Sequence, residues 1–137
     1  MFTFPTTGRF LTPIHLLLST DKLKEAGIDE VLVYCVNDPA VMQAWSEDQG
    51  TDDSDFVNMF GDPGAVLTDA LDVRMTDAGP PSVGIIGRSK RFALIVADGT
   101  VKHVAISEAE GDPAGDSDPS ASLADAMLAA LEGGALN

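Results

Sequence analysis

Three cations fall within four residues at Arg88, Lys90 and Arg91, with Gly84 and Gly87 just ahead of them. In a chain dominated by acids, such a cluster at the mouth of a strand can hold an anion or favour a thiolate, because a nearby positive charge stabilises the charged form. The alternative, which the local context alone favours, is a solvated turn before an edge strand. Cys35 is the only thiol. A reactive cysteine sits at a helix N-terminus or beside bases and is partly exposed, whereas Cys35 lies inside the apolar run VLVYCV. Burial there disfavours the thiolate, so Cys35 reads as structural, with an alternative redox thiol as the weaker reading. His103 falls in a strand, alternating with Val101 and Ala105, and reads as packing or surface. His15 follows the Thr12-Pro13 turn and is the better placed of the two for a site. There is no phosphate loop, no serine, histidine and acid arrangement with motif context, and no paired-ligand spacing for a metal. Neither a metal nor a cofactor is expected.

The elements that must position these groups are organised around residues 29–50, DEVLVYCVNDPAVMQAWSEDQG. Val31 to Val36 is an unbroken apolar run rich in β-branched residues, the pattern of a strand buried on both faces of a parallel sheet. Asn37 and Asp38 stop it. Asp38 suits an N-cap and Pro39 the first helical turn, so a helix follows directly, with Val41, Met42 and Trp45 facing inward. Upstream, Met1 to Phe4 reads as the end of a strand, residues 5–13 as a loop, and residues 14–26 as a short irregular helix stopped at Gly27.

Downstream, the acids between Glu47 and Asp55 read as a solvated loop. Phe56 to Phe60 reads as a strand, GDPG at 61–64 as a turn, and Ala65 to Leu71 as a helix with Val66, Leu67, Ala70 and Leu71 on one face. Thr76 to Pro81 reads as a loop. Arg91 to Ala97 and Thr100 to Ile106 are apolar runs separated only by Asp98-Gly99, the pair that a type I′ hairpin turn demands. Glu108 to Ser122 is acidic and rich in Gly, Pro and Ser, and reads as a mobile loop. Leu123, Met127, Leu128 and Leu131 mark a closing amphipathic helix before Gly133 and Gly134. The order βαβαβαββα is the layout of an α/β, thioredoxin-like fold: a mixed sheet with helices on both faces and an antiparallel edge.

The 137 residues make one domain, and a net charge of -14, from 22 acids against 8 bases, argues against nucleic acid or an anionic membrane as a partner. A single cysteine excludes an internal disulfide framework and suggests a reducing compartment. No apolar run approaches the ~18 to 20 residues of a membrane span. Pro13 and His15 interrupt a faint signal-peptide pattern at 9–20, so no targeting segment is assigned and a cytoplasmic or organellar location is expected.

Four stretches resemble the type-5 peroxiredoxins: KLKEAGIDEVLVYCVNDPAVMQAW at 22–45, FGDPGAVLTDAL at 60–71, GRSKRFALIVADGTVK at 87–102 and SLADAMLAAL at 122–131. The resemblance implies a redoxin domain that reduces hydrogen peroxide and organic hydroperoxides with a thiol reductant, whether glutathione, glutaredoxin or thioredoxin, and that pairs as a homodimer. In that family the peroxidatic cysteine lies in a Pro-Gly-Ala-Phe-Thr-Pro-x-Cys segment. Its thiolate is held by the segment's threonine and by an arginine just before the penultimate strand. The resemblance places the threonine on Thr12, the arginine on Arg91 and a neighbouring base on Arg88. His15 stands where the cysteine belongs, and Cys35 takes a position that resembles a serine in the family. Residues 1–20 therefore read as divergent or incomplete, with the family's opening strands truncated. The expectation is either an incomplete copy of a working enzyme, which the start at Met1 favours, or a member that has lost catalysis and serves as a binding or dimerisation domain.

Overall fold

A computed structural model describes residues 2–3, 19–76, 82, 84 and 86–136. Thr12, Pro13 and His15, and the expected loop at 5–13, lie outside the described residues. The described strands are β1 (Phe2–Thr3), β2 (Val31–Cys35), β3 (Val57–Gly61), β4 (Phe92–Ala97) and β5 (Thr100–Ile106). The helices are α1 (Thr20–Glu25), α2 (Pro39–Gln49), α3 (Val66–Ala70) and α4 (Ala124–Glu132), with a short 3-10 turn at Ser120–Ser122. The strands form one sheet in the order β3-β2-β1-β4-β5. β1, β2 and β3 are mutually parallel, while β4 runs antiparallel to β1 and to β5.

The apolar run of β2 is buried on both faces, as its sequence demands. Val31, Val33 and Cys35 point into a core with Val57, Ala93 and Ile95, closed by Leu23, Met42 and Met127 from α1, α2 and α4. Tyr34 points the other way, into a smaller core with Val73, Phe92 and Leu94 against Leu67 and Leu71. Its ring stacks on Phe60 at 5.6 Å and meets Phe92 edge-on at 5.8 Å. Helices therefore cover both faces of a mixed sheet, which is the expected thioredoxin-like layout.

Asp38 caps α2 by accepting from the Val41 amide at 3.0 Å, and Pro39 occupies the first turn. Asp98 and Gly99 both take positive φ, 50° and 72°, so the hairpin turn is of the type the pair predicts. Gly27, at φ 87°, follows the last turn of α1, and Glu47, Asp48, Asp52, Asp53 and Asp55 are all exposed.

Four expectations need correction. Val41 is 46% exposed, because the inward face of α2 carries Met42 and Ser46, with Trp45 partly buried beside them. On α3, Val66 is exposed at 74% and Ala70 is also outside, while the polar Thr68 is completely buried. On β5, a bulge skips Lys102, since Ile95 pairs with His103 and Val96 with Val101. Val101 therefore shares a face with Val104 and does not alternate in phase with His103. Finally, residues 108–122 form no loose loop: they are folded by side chains described below. Among the described residues no helix is long and apolar enough to cross a membrane.

Candidate functional site

Parallel strands β1 and β2 end on the same edge of the sheet, and antiparallel β4 begins there. Arg91 immediately precedes β4, and Cys35 is the last residue of β2, so the register brings the cationic turn and the end of β2 to one end of the sheet. The turn itself is fixed by a short antiparallel ladder. The Met75 amide donates to the Arg88 carbonyl at 2.8 Å, and the Lys90 amide donates to the Val73 carbonyl at 2.8 Å, around the Arg74–Ser89 bridge. Gly87 precedes it at φ 79°, a conformation that a side chain would strain.

This ladder turns two arginines inward. Arg88 is 6% exposed and Arg91 4%, so neither is the solvated turn residue that local context suggests. Burial lowers the pKa of Arg88, Asp116 and Cys35 act to raise it, and the neighbouring Arg91 acts to lower it. Those influences place Arg88 within electrostatic reach of all three groups. An arginine nevertheless keeps its charge, so two buried guanidinium cations stand at this end of the sheet. Lys90 differs: it forms an ion pair with Glu108, Nζ to Oε2 at 2.8 Å, near the surface.

Arg91 is held by a residue that sequence reading passed over. Its Nη2 donates to Asp116 Oδ1 at 2.9 Å. The segment carrying Asp116 is built for the purpose. The carboxylate of Asp112 accepts from the amides of Ser117 at 2.9 Å and Asp116 at 3.1 Å, and this bonding holds its own pKa below the ordinary carboxylate range. Gly115, at φ 66°, packs so tightly that a Cβ there would collide with the Ser107 carbonyl oxygen. Ser107 in turn shares a 2.8 Å hydrogen bond with Ser122 and donates to the Pro119 carbonyl at 3.1 Å, while its amide donates to the Arg91 carbonyl at 3.0 Å. The acids that suggested a mobile loop are thus partly consumed as internal caps. Their spacing, with Gly between Asp112 and Asp116, is the signal that marks a turn and not a tail.

A second polar set braces the same end from the other face. Asp62 follows β3, and its amide donates to the Cys35 carbonyl at 2.7 Å. Its carboxylate accepts from the amides of Val66, Leu67 and Thr68 and from the Thr68 hydroxyl. Burial alone would raise the Asp62 pKa, but the bonds from Thr68, Leu67 and Val66 outweigh it and hold the carboxyl below its usual range. Thr68 Oγ1 lies 3.3 Å from the Tyr34 hydroxyl, whose pKa burial pushes up to about 12, so Tyr34 stays protonated.

Of the residues singled out from the sequence, Arg91 and Cys35 stand at one end of the sheet, with Arg88 in the turn just before Arg91 and the Cys35 side chain buried in the larger core. His103 is half-buried opposite Ile95 and does not join them. Thr12 and His15 lie outside the described residues, on the segment that continues from β1 in sequence. Among the described residues no group of three or more His, Cys, Asp or Glu side chains is arranged to hold a metal.

Comparison with known proteins agrees with this architecture. The redoxin family matches residues 14–125. A chloroplastic peroxiredoxin-2E-2 of Oryza sativa is 39% identical over 87 residues, covering 64% of this chain and 38% of that protein. The hybrid peroxiredoxin hyPrx5 of Haemophilus influenzae is 34% identical over 91 residues, covering 66% and 35%. The chain thus spans less than half the length of either relative. Among solved structures, reduced Prx3 of Vibrio vulnificus in complex with hydrogen peroxide superposes with a TM-score of 0.75 at 31% identity, over 96% of this chain and 75% of that one. Peroxiredoxin 5 of Alvinella pompejana superposes with a TM-score of 0.64 at 26% identity, over 96% and 77%. The fold, the span of the family match and these likenesses together make the chain a member of the redoxin-domain peroxiredoxin family.

Proposed function

We propose that the arginine corner is the charge-holding half of a thiol peroxidase site, whose reaction is the reduction of hydrogen peroxide or an organic hydroperoxide by a thiol such as glutathione, glutaredoxin or thioredoxin. The observation that carries this reading is the burial of Arg88 and Arg91 together at the carboxyl ends of β1 and β2. A buried cation there favours a thiolate and stabilises charge that develops on peroxide oxygen as the O–O bond breaks. Arg91 and Thr12 are the groups the family reading assigns to that thiolate, with Arg88 in support. The thiolate itself has no carrier in this sequence. His15 occupies its position, and Cys35, 3% exposed and facing the apolar core, is not presented to a substrate.

On this reading, peroxide turnover is not expected of the parent chain. Peroxide consumption with a thiol reductant tests this directly: the parent should match a Cys35→Ser control, and His15→Cys should consume peroxide. Turnover by the parent that Cys35→Ser abolishes would overturn it.

A second reading, a dimerising scaffold, is favoured by one observation: β5 presents Val101, Val104 and Ile106 on its exposed face, beside Val96. Apolar side chains gathered on an outer strand suit burial against a second copy. Light scattering should show a dimer, and a monomer at high concentration would count against it.

A further inference from the structure

Two buried guanidinium groups need compensating charge, because a buried ion without it is costly. The acidic segment after β5 supplies it selectively. Glu108 pairs with Lys90, Asp112 accepts from the amides of Asp116 and Ser117, and Asp118 accepts from the Ser120 amide at 3.1 Å. Asp116 turns instead to Arg91, whose Nη2 donates to its carboxylate at 2.9 Å. Arg88 also lies within electrostatic reach of that carboxylate.

The backbone fixes this placement. Ser107 donates its amide to the Arg91 carbonyl at 3.0 Å, and Gly115, the residue before Asp116, packs against the Ser107 carbonyl. Arg91 and the segment carrying Asp116 therefore grip the same residue. Asp112 adds a second hold through the Asp116 amide. A carboxylate set in this way has two effects on an anion brought to the arginines. It keeps the Arg91 guanidinium in one orientation, and it opposes the anion, since a like charge nearby disfavours the charged form.

We propose that Asp116 is a positioning residue and the internal counter-ion of the arginine corner, holding Arg91 in place while limiting how far the corner stabilises a thiolate. The inference rests on the thiol peroxidase site proposed above. The other charges around the turn have partners of their own: Lys90 with Glu108, Arg74 with Asp69 at 2.6 Å, and Asp62 with the amides of α3, while Tyr34 stays protonated. Neutralising Asp116 thus changes the field at the corner and leaves those pairs in place.

The test uses the full chain carrying His15→Cys and Cys35→Ser, with the alkylation rate of the new thiol measured against pH. Asp116→Asn keeps an oxygen that accepts from Arg91 and removes the charge. The ionisation constant of the thiol should therefore rise about threefold to tenfold, and Asp116→Glu should bring it back toward the Asp116 value. An ionisation constant that Asp116→Asn leaves unchanged or lowers, in a thiol that still responds to Arg91→Ala, would overturn the inference and leave the peroxidase site standing. A thiol indifferent to Arg91 would remove the site and the inference with it. Urea denaturation of the chain without the new cysteine gives an independent reading. There Asp116→Asn should lower the folding equilibrium constant about threefold or more beside intact Arg91, and much less in an Arg91→Gln background. Equal losses in the two backgrounds would overturn the inference as well.

Discussion

Replacing Asp62 by alanine removes the acceptor of four hydrogen bonds: from the amides of Val66 at 2.8 Å, Leu67 at 3.3 Å and Thr68 at 2.9 Å, and from the Thr68 hydroxyl at 2.9 Å. The helix it serves spans only Val66–Ala70, and its own N-cap residue, Ala65, contributes no side-chain bond. Loss of a cap costs about 0.5–2 kcal/mol, and a buried hydroxyl left without its acceptor costs roughly 1–3 kcal/mol. These overlap, so a loss of about 2–4 kcal/mol is expected, or roughly 10 °C in Tm for a domain of this size. Urea denaturation followed by circular dichroism measures it. The pH dependence is more specific. Because the folded carboxyl is held below its unfolded value, the unfolded chain takes up the proton first as pH falls. The stabilisation is complete above the unfolded pKa of about 4 and disappears as pH falls through the lower folded value. The stability gap between the parent and Asp62→Asn should therefore narrow below about pH 4. A gap that stays constant from neutral pH to pH 3, or an alanine variant within about 0.5 kcal/mol of the parent, would refute the assignment of the carboxylate as the clamp on this helix.

Other outcomes follow from the same contacts. Gly115→Ala would drive a Cβ into the Ser107 carbonyl oxygen, so the segment that carries Asp116 must shift; a loss of about 2 kcal/mol or more in denaturant titration is expected. Met42→Ala opens a cavity under α2, where the side chain is 1% exposed, and should cost about 2–5 kcal/mol in the same assay. Cys35, at 3% exposure, should resist a thiol reagent in the native state and release one equivalent on unfolding. Rapid native labelling would show that it is presented to solvent.

The parts of the fold legible in the sequence are those set by local backbone chemistry. The β-branched run of β2, the Asp38-Pro39 helix start and the Asp98-Gly99 turn each demand one conformation, and each takes it. The failures share a cause, since they depend on partners far along the chain. Thr68 is buried because Asp62 and Tyr34 satisfy its hydroxyl, which periodicity cannot show. Val101 changes phase because a bulge at Lys102 absorbs one residue. The acidic segment folds because Asp112 and Asp116 find donors, the latter on Arg91, 25 positions away. Arg88 and Arg91 are visible as a charge cluster, but their burial follows from pairing with residues 73–75, which no local pattern reveals.

In the proposed site, the Arg88–Arg91 corner holds a thiolate placed at position 15. The most direct test puts a cysteine there in a Cys35→Ser background and measures its alkylation rate against pH. That thiol should ionise below the ordinary value of about 8.5 and return toward it when Arg91 is changed to alanine. An unshifted thiol, or one indifferent to the loss of Arg91, would contradict it.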